Sequence, residues 1–253
     1  MNTLPTLFVS HGSPMLAVDE SQPAHTFLKG LGASLPRPEA ILVISAHWET
    51  AAPRITGAMH LDTIHDFYGF PEPLYELRYP APGEHALAKD VAQLLQPPAG
   101  VDLVRGLDHG AWVPLMLMYP QHDIPVLQLS LQTPLGTEHH LKIGEALKRL
   151  RERGTLILGS GGATHNLREY FHGGNDRQPY EEFTEWLRDA LTRGDRDALL
   201  NYRQRAPQAE RCHPTEEHFL PLFVALGAGG PKVRRLHHSF DHTLAMDSYI
   251  FED

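Results

Sequence analysis

Residues 40–49 read AILVISAHWE, a nearly continuous apolar run that closes on a histidine, a tryptophan and a glutamate. Over residues 40–46 no polar face alternates with the apolar one, as expected of a strand buried on both sides in a parallel or mixed sheet. Shorter runs of the same kind stand at 6–10 (TLFVS), 125–131 (PVLQLSL) and 155–158 (TLIL). Between and after them lie segments with helical spacing. Over residues 137–153, Leu141, Ala146, Leu147 and Leu150 share one stripe and Gly154 supplies a stop. Residues 180–192 repeat the pattern through Phe183, Trp186, Leu187, Ala190 and Leu191, and a helix over 215–226 is expected behind Pro214. Residues 232–238 and 244–251 alternate as strands do. Strands interleaved with helices indicate an α/β fold. No repeat or flexible tether divides the chain, so 1–253 is read as one domain, with a proline-rich loop around 71–82.

Composition narrows the function. The formal net charge is −9, and the basic cluster Lys148, Arg149, Arg151 and Arg153 lies at helical spacing among glutamates, as on a solvated helix; both argue against nucleic-acid binding. No apolar stretch approaches membrane-spanning length, because the run at 112–118 is interrupted by Pro114 and closed by Pro120. The first 14 residues read as a strand rather than a signal segment. A single cysteine, Cys212, excludes an intrachain disulfide and a cysteine-rich zinc site, and suits a cytoplasmic protein.

The anomaly is histidine: 17 residues, about one in fifteen. His11 follows the first strand (SHGSP), His47 the second (SAHWE), and His165 the fourth (GSGGATHN). Ligands of open α/β sheets bind beyond the carboxyl ends of strands, so these three can meet in space. Any one of them alone is more simply read as a packed loop residue; it is their recurrence at successive strand ends that points to a site. His109 precedes a helix beginning near Ala111, and His218 sits early in a later helix, next to Glu217. Adjacent helical residues point about 100° apart, so one of Glu217 and His218 is expected to face the site, with His218 preferred. Clustered neutral imidazoles are metal ligands: two with a carboxylate suit non-haem Fe(II), three also suit zinc. HExxH, CxxC, GxxxxGK[ST] and GxGxxG are missing, and Leu158 breaks the GxSxG pattern at Ser160.

Seven motifs in order, HGSPM (11–15), SAHW (45–48), TIHDFYGFP (63–71), YPAPG (79–83), DHGAW (108–112), THNL (164–167) and PTEEHFLPL (214–222), make the chain resemble the class III extradiol ring-cleaving dioxygenases, in the branch typified by 4,5-DOPA dioxygenase. The resemblance implies a single domain with a mixed central sheet flanked by helices. It implies non-haem Fe(II) held by His11, His47 and a group at the His218 motif. Zn(II) is a second occupant of that site, with His165 as a fourth ligand. More distant class III enzymes use a glutamate as third ligand, which keeps Glu217 open. The implied reactants are a catechol, such as DOPA, and O2. The implied roles are proton transfer to His165 or His109, substrate orientation by His109, and an entrance lined by His65 and Asp66. From the histidines alone, a zinc-dependent hydrolase or a non-catalytic metal-binding protein uses the same cluster.

Overall fold

A computed structural model describes residues 3–172 and 176–253. The described residues include ten strands: β1 (Thr6–Ser10), β2 (Ala40–Glu49), β3 (Arg54–Thr56), β4 (Gly100–Asp102), β5 (Val126–Leu131), β6 (Thr155–Gly161), β7 (Lys232–His237), β8 (Phe240–Asp241), β9 (Leu244–Ala245) and β10 (Ser248–Glu252). Eight form one sheet in the order β4-β3-β5-β2-β6-β1-β10-β7, while β8 and β9 make a separate pair. The central four, β5, β2, β6 and β1, run parallel, so their carboxyl ends share one rim. Antiparallel β10 and β3 on either side make the sheet mixed.

The continuous apolar runs are explained by cover on both faces. Phe8, Leu42, Ile44 and Ile157 point into one core with helices His85–Leu94, Gly136–Leu147, Gln178–Arg193 and Leu220–Ala228. Their neighbours Leu7, Val9, Ile41, Val43, Leu156 and Leu158 point into the other, under helices Pro23–Ser34 and His109–Met118. Successive strand side chains face opposite sides, so a strand between two helical layers has no face left for polar residues. Among the described residues no helix is long and apolar enough to cross a membrane.

Several expectations shift. The helix expected over 137–153 is α-helical only over Gly136–Leu147 and tightens to a 3-10 helix over Lys148–Arg153, ending at Gly154 in the left-handed conformation. The expected strand at 244–251 splits into β9 and β10. Residues 215–219 form turns rather than helix, and the helix begins at Leu220 with Pro221 in its first turn. Proline suits a first turn in either register, so Pro214 was a misleading start signal.

Candidate metal centre and active site

The shared rim brings the histidines together. His11 follows β1, and its backbone N–H donates to the Gly161 carbonyl at the end of β6 (3.0 Å). His47 lies inside β2, where pairing with β5 shifts between Ile44 and Glu49, an irregularity of the kind that re-aims a side chain. His218 sits on the turn ahead of Leu220–Ala228, and its carbonyl accepts the Gly162 N–H (2.9 Å). A Cβ on Gly161 would collide with that carbonyl, so glycine there lets the turn rest on β6. His165 follows β6, its N–H bonded to the Cys212 carbonyl (2.8 Å).

His109 opens helix His109–Met118, capped by Asp108, whose carboxylate accepts the Ala111 N–H (3.3 Å). Fully buried Asp108 also accepts from the Ser45 hydroxyl (2.7 Å), from Arg105 (3.0 Å) and from the Gln128 amide, tying β2 and β5 to the helix. The helix start is pressed against the histidines. A Cβ on Gly110 would lie 3.0 Å from His47 Cδ2, 3.2 Å from His11 Cε1 and closer still to the Ser45 hydroxyl.

At the centre, His47 Nε2 lies 3.0 Å from His11 Nε2 and 3.2 Å from His218 Nε2. The surrounding bonds assign the protons. Ser160 donates its hydroxyl to the Gly110 carbonyl, so it can only accept from His11 Nδ1 (3.0 Å). His218 Nδ1 faces Glu217 Oε1 (2.9 Å), and His47 Nδ1 faces Asp66 Oδ2 (3.5 Å). For His11 and His218 these partners place the proton on Nδ1 and turn an Nε2 lone pair inward, whereas His47 has only a long ionic contact at Nδ1. Three Nε2 atoms thus meet at one centre, two of them as inward lone pairs, and a cation there takes all three once His47 adopts the same tautomer. Burial pushes His11 and His218 well below the usual imidazole range and His47 down to about 3, so all three are neutral at pH 7. This donor set fits a divalent metal. The ring nitrogens of His11, His47 and His109 lie within 4.8 Å of one another, as do the ligand atoms of His165, Glu217 and His218.

The flanking groups follow. His165 stacks on His218 with centroids 3.3 Å apart and planes 8° from parallel, its Nδ1 4.0 Å from Glu217 Oε1. Burial pushes His165 down to about 3. Asp66 Oδ1 accepts the backbone N–H of His109 (2.9 Å), and His109 Nδ1 lies 3.0 Å from the same oxygen without the alignment to donate. Burial raises the Asp66 carboxyl, but its contacts with His109 outweigh that and hold it at about 2, ionised.

The structure thus unites His11, His47, His109, His165 and His218. The adjacent pair lies on a turn rather than a helix: His218 turns Nε2 to the centre, and Glu217 folds back against its Nδ1. His65 does not line it; its Nε2 meets the Leu77 carbonyl (3.1 Å) and its ring packs near Phe67 and Trp112. Over the histidines opens a cleft of about 390 Å³, walled by Phe67, Tyr68, Phe70, Tyr170, Phe171 and Leu244. The aromatic pairs in FYGF (67–70) and YF (170–171) were a signal for this wall that went unused. Nothing local marks Ser160, whose partner is 149 positions away.

Comparison with known proteins adds what geometry leaves open. Residues 5–251 match the family described as the catalytic LigB subunit of aromatic ring-opening dioxygenase. The chain belongs to that family. It is 46% identical over 260 aligned residues to a 4,5-DOPA dioxygenase extradiol of Beta vulgaris, covering 99% of this chain and 97% of that one. It is 41% identical to the 4,5-DOPA dioxygenase extradiol of Escherichia coli (strain K12), over 89% of this chain and 85% of the relative. The crystal structure of an uncharacterized protein from Escherichia coli K12 superposes with a TM-score of 0.83 at 33% identity, covering 98% of this chain and 99% of that chain. Family membership decides between ring cleavage and the hydrolase or binding-protein readings: this dioxygenase is an oxidoreductase that performs extradiol opening of an aromatic ring.

Proposed function

We propose that this dioxygenase cleaves a catechol beside its diol, with His11, His47 and His218 holding a divalent metal through Nε2. Non-haem Fe(II) serves turnover, and Zn(II) is a second occupant, with His165 as its fourth ligand. The observation that carries this reading is the convergence of the Nε2 atoms of His11, His47 and His218 on one buried centre, 3.0 and 3.2 Å apart. When bound, the metal supplies a common anchor for the catechol and O2 and a path for electrons between them.

The protein's own groups do the rest. Ser160, Asp66 and Glu217 hold the imidazoles in orientation, as outer partners of metal ligands do. Phe67 and Tyr170 confine the aromatic ring and exclude water. His165, with Nδ1 toward Glu217, takes a catechol hydroxyl proton at Nε2; burial keeps it unprotonated beforehand, and the charge of the forming catecholate raises its basicity. His109, with Nδ1 toward Asp66, presents its other nitrogen to the substrate. The names of the relatives make DOPA the first catechol to try. The single, buried, unpaired Cys212 supports action in a reducing cytoplasm.

The test is anaerobic loading with Fe(II), then addition of DOPA and simple catechols with O2 uptake and the visible spectrum followed together. Uptake with a ring-opened chromophore, lost in His11→Ala and His47→Ala, is the expected result. No uptake with any catechol while one Fe(II) is bound per chain overturns the reading.

A further inference from the structure

His47 lies where the sheet lets go of β2. Pairing with β6 ends at Ser45, and pairing with β5 lapses between Ile44 and Glu49. Polar side chains take hold of the backbone there. The His47 N–H donates to the Ser45 hydroxyl oxygen (3.2 Å), and the His47 carbonyl accepts from Arg105 (3.3 Å). Asp108 holds both of those side chains in turn. Ser45 gives its hydroxyl proton to Asp108 Oδ1 (2.7 Å), and the Arg105 nitrogen that reaches His47 also donates to Asp108 Oδ2 (3.0 Å). Arg105 is steadied further by the Trp48 ring, its guanidinium carbon 4.8 Å from the centroid. Directly after Asp108 comes His109, whose ring centre stands 3.9 Å from that of His47.

Resting on the ligand set proposed above, we infer that Asp108 is a positioning residue for the metal centre: through Ser45 and Arg105 its carboxylate fixes the backbone that aims His47 inward, and as the cap of helix His109–Met118 it sets His109 beside the same ring. Its chemistry suits that task. The fully buried carboxylate faces four donors, from Ser45, Ala111, Arg105 and Gln128, and an ionised carboxylate is all acceptor. Bonds to such a charge are roughly twice as strong as neutral ones. A helix cap needs only the Ala111 bond (3.3 Å), yet the two bonds that lead to His47 are both shorter. Asparagine has one acceptor oxygen and must turn its NH2 on some of those donors, so this isosteric change breaks the arrangement without opening a cavity.

Metal binding tests this without turnover. Asp108→Asn, Ser45→Ala and Arg105→Met are compared with the native chain by chelator competition for Fe(II) and Zn(II), by the visible spectrum of the Co(II)-loaded protein, which reports ligand geometry, and by thermal unfolding of the metal-free chain. Asp108→Asn is expected to weaken metal binding about 10- to 100-fold, the scale of a lost outer partner of a ligand, and to shift the Co(II) bands. Ser45→Ala and Arg105→Met leave the helix cap in place and should each weaken binding by about tenfold. Arg105→Lys, which keeps the charge, should recover part of what Arg105→Met loses. Native metal affinity and unchanged Co(II) bands in a folded Asp108→Asn overturn the inference, even if the metal-free chain melts lower, because a purely structural carboxylate behaves that way. Should Asp108→Asn fail to fold, the other two variants decide: weakened binding in either upholds the inference, and native affinity in both overturns it. A native chain that binds no metal overturns the ligand set and this inference together. One that binds Fe(II) but opens no catechol overturns the ring-cleaving reading alone.

Discussion

Ser160 Oγ sits 3.0 Å from His11 Nδ1 and spends its own proton on the Gly110 carbonyl. It therefore dictates which nitrogen of His11 is free. Replacing Ser160 with Ala removes the acceptor and leaves a buried ring free to take the other tautomer, with its proton aimed at His47 Nε2. Metal affinity should fall about 10- to 100-fold while the fold persists, measured by chelator competition alongside circular dichroism.

His165 and Glu217 should separate cleanly from the metal ligands. His165→Ala should keep one Fe(II) per chain and slow single-turnover ring opening by about 10²-fold or more; unchanged turnover would remove it from proton transfer. Glu217→Gln keeps an acceptor for His218 Nδ1, so it should retain metal, whereas His218→Ala should lose it. The reverse pattern would make Glu217 the ligand.

Gly110 is held to glycine by the histidines themselves. In Gly110→Ala the added methyl must displace Ser45 or the rings of His47 and His11. Metal stoichiometry should drop well below one. A variant that folds and binds metal normally would show that the helix start can retreat.

Two buried histidines outside the proposed ligand set predict an acid-side loss of stability. Burial lowers His140 to about 4 and His213 to about 3. His140 donates Nδ1–H to the Gly136 carbonyl (2.7 Å) and accepts the Gln132 N–H at Nε2 (3.2 Å), leaving no room for a second proton. Their folded values lie below the unfolded one near 6.5, so between about 4 and 6.5 the unfolded chain binds more protons. Stability is full above pH 6.5 and falls as pH drops, each group contributing a slope of up to about 1.4 kcal/mol per pH unit. Urea unfolding at pH 7.5, 6 and 5 measures this, and His140→Leu should flatten the slope.

Much of the architecture was legible because it is written in short periods. AILVISA at 40–46 has no polar face since helices cover both sides of β2, and the stripe of Leu141, Leu147 and Leu150 shows which side of its helix is buried. The turn at 215–219 was not legible, because Pro214 and Pro221 are equally good helix openers and only packing against Gly161 and Gly162 selects the second. The short β3 and β4 were missed too: three residues each carry no period, and their pairing supplies the order.

By itself, the sequence determined that strands of an α/β sheet end in histidines, since apolar periodicity and residue type are local properties. Only the tertiary structure decided which nitrogens face one another, that Ser160 and Glu217 set the protons of His11 and His218, and that an aromatic wall stands above them. Those are relations between residues tens to hundreds of positions apart. Hydrogen-bond direction and burial, which assign a tautomer and silence a charge, exist only once the chain has closed around them.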